Sequence, residues 1–458
     1  MVTMNKLLFF FLFIFLFSFG QTIAQVKKSI TNETPAHKAE RLEWFKDARF
    51  GMFIHWGLYA LPARHEWVKN RERMTNEAYQ KYFDNFNPDQ FDPKLWAKQA
   101  KAAGMKYAVL TTKHHEGFCL FDSKFTDYKA TKTAAKRDLV KEFVDAFRAE
   151  GLKVGFYYSL LDWHHPDYTI DEKHPLRMST AGDTSAYYTK MNSGKDMAKY
   201  RQYIKNQITE LLTNYGKIDI LWADFSFPGK YGKGKDDWGS VELMKLIRKL
   251  QPGIIVNNRL NLEEYQDGYD FVTPEQVKPE KLVNYRGKTW ETCQTFSGSW
   301  GYYRDETTWK THRQLLDLLI TSVANGGNLI LNVGPTARGQ FDYRAQRALD
   351  SLAYWMQANS KSIYNCTYAP EEYKLPDSVN TRLTFNPTAK KLYVHLFDYP
   401  SSGKVVLPGY KGKIRYAQLL NDDSELIINP SAVSDDVEIQ LPKLRPPYEV
   451  PVIELSLN

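Results

Sequence analysis

The sequence predicts an α/β chain, a (β/α)8 TIM-like barrel followed by a C-terminal all-β sandwich domain. Three observations lead there. Between residues 36 and 358, short apolar runs ending on polar or aromatic side chains alternate with amphipathic helical segments, the pattern of parallel strands joined by right-handed crossovers. Eight such runs in about 320 residues fit a closed barrel better than an open sheet. Past Ser360 the texture changes to short strands separated by Pro, Gly, Asn and Asp clusters, which reads as a sandwich. The expected division is a signal peptide (1–24), a loose linker (25–35), a barrel (36–360) and a sandwich (361–458).

Taken in order, residues 7–17 are an unbroken Leu/Phe/Ile run behind a single lysine, followed by Thr22-Ile23-Ala24. This is an export signal cleaved after Ala24, too short for a comfortable membrane span, and it predicts a periplasmic or secreted protein. Strands are expected at 50–57, 107–115, 154–159, 217–224, 254–259, 269–273, 289–295 and 328–333. Helices are expected at 36–48, 76–86, 94–103, 138–150, 198–215, 241–250, 307–324 and 343–358. Residues 164–192 form a polar insertion, and the Lys-rich loop 230–235 reads as solvated and mobile. Strands in the last part are expected at 382–385, 391–396, 404–407, 425–428 and 437–441. The three cysteines, Cys119, Cys293 and Cys366, match no zinc spacing, and any disulfide would be incidental.

The formal net charge of +8 is spread over 61 basic and 53 acidic residues, which gives no reason to expect a nucleic-acid partner. Oligomeric state is not readable. If the barrel closes, the carboxyl ends of its strands form one rim. That rim collects His55 and Trp56, His114 and His115, Tyr158, Trp222 and Asp224, Arg259, Glu275, Glu291 and Asn332, with Glu66 and Trp67 in the loop after the first strand. A convergence of imidazoles, carboxylates and indoles is the signature of a reactive site. Asp224 ends its strand, and Trp222, two residues earlier, shares its face.

The histidines do not spell a metal site. His114-His115 and His164-His165 are adjacent pairs whose side chains point apart on a strand, and no His-x-His or His-Glu-x-x-His occurs. No nucleophile elbow or phosphate-cradling glycine motif is present either, so no metal and no cofactor is expected. Carboxylates among aromatic faces in an exported chain suit a sugar, whose apolar faces pack on Trp and Tyr while polar groups take the hydroxyls. Glycoside hydrolysis needs two carboxyl groups: Asp224 suits one role, and Glu275 and Glu291 are both candidates for the other.

At these residues the chain resembles the α-L-fucosidases of glycoside hydrolase family 29. The resemblance rests on Trp44-Phe45 with Ala48-Arg49-Phe50-Gly51-Met52-Phe53-Ile54-His55-Trp56-Gly57, on Lys113-His114-His115-Glu116-Gly117-Phe118, and on Leu221-Trp222-Ala223-Asp224. It continues through Trp290-Glu291-Thr292-Cys293, Ser299-Trp300-Gly301-Tyr302 and the run from Asn328 to Pro335. It implies a retaining exo-enzyme acting on fucosylated oligosaccharides or glycoconjugates, with Asp224 as nucleophile. His55, Glu66, Trp67, His114, His115, Tyr158, Trp222, Arg259 and Trp300 would line the fucose pocket. For the acid/base, position at the sixth strand end favours Glu275 over Glu291. Trp67, Phe225 and Trp300 are candidates to face the sugar's methyl group. Another exo-glycosidase for galactose-configured sugars and a non-catalytic sugar-binding protein are the competing readings.

Overall fold

A computed structural model describes residues 28–179, 182–376 and 379–458; the expected signal segment lies outside them. Seven parallel strands form the central sheet: β1 (Phe50–Ile54), β2 (Tyr107–Lys113), β3 (Lys153–Ser159), β4 (Ile220–Asp224), β5 (Ile255–Val256), β6 (Glu291–Thr295) and β7 (Asn328–Val333). Their spatial order is β5-β4-β3-β2-β1-β7-β6. The eighth strand, expected at 269–273, does not form. In its place an irregular segment closes the gap by isolated bridges, Asn257 to Phe271 on one side and Val272 to Trp290 and Glu275 to Cys293 on the other. Pro274 has no N–H to give to a ladder. Asp270 instead turns its carboxylate onto the Val256 N–H (2.7 Å) and onto Arg41 and Arg248.

Strand parity sorts side chains by depth. Phe53, Tyr107, Val109, Tyr157, Ile220, Trp222, Ile255, Phe271, Cys293 and Ile330 pack together inside the barrel. Their sequence neighbours on the strands, such as Met52, Ala108, Phe156 and Leu221, face the outer helices. Gly51 must be small, since a Cβ there would lie 2.2 Å from the Tyr107 ring.

The helices start where the sequence supplies side-chain caps. Asp92, Asp138 and Asp196 each accept backbone N–H groups of the first turn. Thr311 forms a capping box with Gln314, so that helix runs His312–Ala324 rather than from 307. The polar insertion carries a further helix, Thr184–Met191, capped by Asp183.

Two expected loose stretches are tied down. In the expected linker, Ser29 Oγ, the Ile30 and Thr31 N–H groups and Thr31 Oγ1 all donate to the Asp267 carboxylate at 2.7–2.8 Å, and a helix begins at Pro35. In the Lys-rich loop, Lys233 is buried and its ammonium meets Asp171 (2.5 Å) and the Thr169 carbonyl (2.8 Å), while Lys235 pairs with Glu264.

The C-terminal region contains β8 (Thr381–Asn386), β9 (Lys391–Leu396), β10 (Lys404–Leu407), β11 (Ile414–Leu419), β12 (Ile428–Pro430), β13 (Val437–Gln440) and β14 (Val452–Leu457). They form antiparallel sheets of order β10-β13-β12 and β11-β14-β9-β8. β11 and β14 were not expected. This region packs on the barrel: Tyr393, Phe397, Val450 and Val452 join the barrel's outer core, and Trp355 Nε1 donates to the Val450 carbonyl (2.8 Å). All three cysteines are buried free thiols.

Candidate active site

The pocket over the barrel's carboxyl end has a volume of about 800 Å³. Its floor is built by register. β3 and β4 pair so that Tyr157 lies beside Trp222 and Ser159 beside Asp224. The Tyr157 and Trp222 rings stack with centroids 5.8 Å apart, and Tyr157 Oη donates to Asp224 Oδ2 (2.8 Å). Arg259, in the 3-10 turn after β5, lies over the Trp222 ring. Its Nη1 donates to Asp224 Oδ1 (3.2 Å) and its Nη2 to Glu275 Oε2 (2.8 Å). One guanidinium therefore joins two carboxylates at the pocket wall. Burial pushes the Asp224 carboxyl up to about 6; the Glu275 charge adds to the rise, and Arg259 and the Tyr157 hydroxyl oppose it.

The histidines are neutral, held well below their usual range chiefly by burial. Two tautomers follow from their partners. Asn332 Nδ2 donates to the Trp300 carbonyl (2.7 Å), which turns Asn332 Oδ1 toward His55 Nδ1 (2.6 Å); that nitrogen carries the proton. Ser159 Oγ donates to the Leu161 carbonyl (2.8 Å) and so accepts from His115 Nδ1 (2.7 Å). Both rings keep Nε2 as an acceptor, and His115 Nε2 stands 3.9 Å from Asp224 Oδ2.

Glu66 is fully enclosed. Its Oε2 accepts the Gly301 N–H (2.9 Å), and burial raises its carboxyl to about 7. Around these groups stand Trp67, Phe225 and His115, with centroids 5.2–5.6 Å apart, and Trp300 against His55 (5.1 Å). Phe225, the residue after Asp224, has φ +80°, a conformation a bulky side chain adopts only when its surroundings impose it.

His55, Glu66, Trp67, His114, His115, Trp222, Asp224, Glu275 and Trp300 all line the pocket, with Arg259 bridging two of them; His114 and His115, expected to point apart, lie just past the end of β2 and both turn to the pocket, ring centroids 4.0 Å apart. Two sequence candidates do not. Tyr158 points outward, donating to Gln207 Oε1 (2.8 Å) beneath the Lys113 ammonium; Tyr157 holds the inward position. Glu291 lies deeper in the barrel and is fully buried. It accepts from Tyr107 Oη (2.5 Å) and Trp222 Nε1 (3.3 Å), and burial raises it to about 8. Glu275, by contrast, has a side chain 42% exposed. The sequence reading also missed Arg71, Thr295, Trp309 and Lys310, which line the pocket; Thr295 ends β6 and Arg71 ends the short helix Val68–Arg71, while Trp309 and Lys310 come from a loop with no periodic signal. Among the described residues no cluster of His, Cys, Asp or Glu could hold a metal ion.

A parallel barrel whose mouth sets two carboxyl groups among indoles and neutral imidazoles has the construction of a glycoside hydrolase. Comparison with known proteins narrows the class. The family model for alpha-L-fucosidase matches residues 18–361, and the chain belongs to that family. It is 44% identical to the solved alpha-L-fucosidase isoenzyme 1 from Paenibacillus thiaminolyticus, with a TM-score of 0.82 over 92% of this chain and 99% of that one. It is 28% identical to an alpha-L-fucosidase GH29 from Bacteroides thetaiotaomicron trapped as a covalent intermediate with 2-fluoro-fucosyl fluoride, with a TM-score of 0.78 over 94% and 98% of the two chains. The tissue alpha-L-fucosidase of Mus musculus is 29% identical over 438 residues, 89% of each chain.

Proposed function

We propose that this chain is an exported, exo-acting enzyme that removes terminal α-L-fucose from fucosylated glycans with retention of configuration. The observation that carries the reading is the Asp224–Arg259–Glu275 bridge. Two carboxyl groups hung on one guanidinium form a close pair at the pocket wall, the two-carboxyl construction that glycoside hydrolysis requires. Asp224, fixed on β4, attacks the anomeric carbon as protonated Glu275 gives its proton to the departing oxygen. Glu275 then takes a proton from the water that releases the sugar from Asp224. Esterification removes the Asp224 charge that Arg259 and the Tyr157 hydroxyl hold in the free site, so these donors are freed to act on the sugar. Trp67 and Phe225 offer the apolar wall that a 6-deoxy sugar's methyl requires. The trapped covalent intermediate of the Bacteroides relative is consistent with the double displacement. Export rests on residues 1–24 and is tested by mass spectrometry of the mature N-terminus, expected at Gln25.

The activity test is incubation with an aryl α-L-fucoside beside the matching aryl galactoside, the anomer of the first-formed sugar being followed by NMR. Release of α-L-fucose supports the reading. Release of the β-anomer overturns retention, and hydrolysis of the galactoside alone overturns the substrate.

A further inference from the structure

Behind His114 lies a carboxyl group that the reaction above does not use. Glu116 is 1% exposed. Among the described residues neither of its oxygens receives a hydrogen bond from another residue, its own backbone N–H being the nearby donor, and His114 Nδ1 is likewise sealed from solvent without a hydrogen bond. The two groups face each other, with His114 Nδ1 3.3 Å from Glu116 Oε2. Glu116 Oε1 is seated against Gly57, where a Cβ would lie 2.8 Å away.

The cations that approach Glu116 are engaged elsewhere. The Lys69 ammonium donates to Asn76 Oδ1 (2.9 Å), and that of Lys113 to Asp162 Oδ2 (3.1 Å). Asp162 also acts on Glu116 and opposes a second negative charge, and the Tyr59 ring stands with Glu116 Oε1 against Gly57. A buried carboxylate with no donor but its own backbone N–H is strongly disfavoured against its neutral acid. His114, equally enclosed, cannot supply the missing charge, because burial holds it far below its usual range.

We propose that Glu116 is a neutral carboxylic acid whose proton is donated to His114 Nδ1, so that His114 presents Nε2–H to the pocket. His55 and His115 carry the opposite polarity, with their Nδ1–H groups committed to Asn332 and Ser159 and Nε2 left to accept. The pocket thus offers the sugar two imidazole acceptors and one imidazole donor, and Glu116 is the positioning residue that sets the donor. Matching these polarities to fucose hydroxyls rests on the fucosidase reading; the tautomers themselves do not.

When Glu116 ionises, near pH 8, the anion takes the Nδ1–H form of His114, and Nε2 turns from donor to acceptor. A sugar oxygen that accepted from Nε2–H then loses its partner, so KM rises on the alkaline side while kcat changes less. Glu116→Gln cannot ionise, and its amide N–H can donate to Nδ1 in place of the acid.

The experiment is long-range ¹⁵N–¹H NMR of histidine-labelled protein, with the His114 signals assigned by their loss in His114→Phe, run beside aryl fucoside kinetics from pH 5.5 to 9. At pH 6.5 the wild type is expected in the Nε2–H form, converting to Nδ1–H through about pH 8 as KM rises about tenfold, the worth of one neutral hydrogen bond. Glu116→Gln is expected to keep the Nε2–H form throughout and to lose the alkaline rise in KM. An Nδ1–H form in the wild type at pH 6.5, or an undiminished alkaline rise in Glu116→Gln, overturns the proposal. Absence of fucoside turnover would defeat the fucosidase reading and leave the NMR result to decide the tautomer.

Discussion

Tyr157→Phe isolates one force acting on the proposed nucleophile. The substitution keeps the ring stacked on Trp222 and removes only the hydroxyl, which donates to Asp224 Oδ2 at 2.8 Å. That hydroxyl is sealed inside the barrel, and a hydrogen bond to a charged acceptor there is worth about 1.5–3 kcal/mol. At about 1.4 kcal/mol per pKa unit, its loss should raise Asp224 by about one to two units above its value near 6. Attack needs the ionised carboxylate, so activity falls as pH drops through this pKa, and raising the pKa moves the acid limb toward neutrality. The assay is kcat/KM for an aryl fucoside against pH, which reports the free enzyme. At pH 6 the variant should fall about five- to fiftyfold below wild type and recover most of the difference by pH 8.5. An acid limb that stays in place or moves to lower pH would refute the assignment of that limb to Asp224 and the role given to Tyr157.

Other substitutions address the remaining parts. Asp224→Ala should lower turnover by at least about a thousandfold, with azide restoring part of it as a fucosyl azide of inverted configuration; a retained azide product would count against Asp224. Glu275→Gln should slow substrates with poor leaving groups by about 10²–10⁴ while sparing activated aryl fucosides, and Glu291→Gln should show no such contrast. The buried Glu291 binds its proton more tightly folded than unfolded, so its stabilising contribution is fully present below pH 4.5 and is lost as pH rises through about 8. Glu291→Gln should therefore flatten the decline in unfolding midpoint between pH 5 and 8 by on the order of 1 kcal/mol per unit, and an unchanged slope would contradict it. Lys113→Met strands the buried Asp162 and should cost about 3–5 kcal/mol in denaturant unfolding.

Much of the barrel was legible because strands buried on both faces read as apolar runs ending in functional groups. The strand that ends on Asp224, 220–224, is the clearest case. What was not legible depends on the direction and depth of side chains. Tyr157 and Tyr158 are equivalent as letters; only pairing with β4 shows that position 157 shares the inward face with Trp222 and Asp224. Glu275 and Glu291 both stand near strand ends in the sequence, yet Glu291 begins β6 and so lies below the floor that Asp224 caps. The 269–273 segment keeps isolated backbone bonds to both neighbours, Asp270 N–H to the Val256 carbonyl (2.8 Å) and Glu291 N–H to the Val272 carbonyl (3.0 Å), but Pro274 lacks an N–H and the Asp270 carboxylate takes the Val256 N–H, so no continuous ladder forms. Lys233 reads as solvated because its acid, Asp171, lies 62 residues away. β14 is a sheet centre whose partners, β9 and β11, are distant in the chain.

The irregular closure of the barrel divides the labour of the two carboxyl groups. Asp224 belongs to a ladder held from both sides, and its position is as rigid as the sheet. Glu275 belongs to an irregular stretch held to β6 by backbone bonds on either side of it, Cys293 N–H to the Pro274 carbonyl (3.2 Å) and Gln276 N–H to the Cys293 carbonyl (3.1 Å), and it is followed by Gln276 in a left-handed conformation (φ +50°). Its side chain, 42% exposed, is tied to Arg259. On the proposed reading, the group that gives up and recovers a proton is thus a part-exposed side chain on an irregular seam, while the group that forms a bond is anchored in the sheet. Residues placed by a ladder can be traced from one homologue to another by counting along the strand; residues on a seam such as 270–276 must be located afresh in each structure.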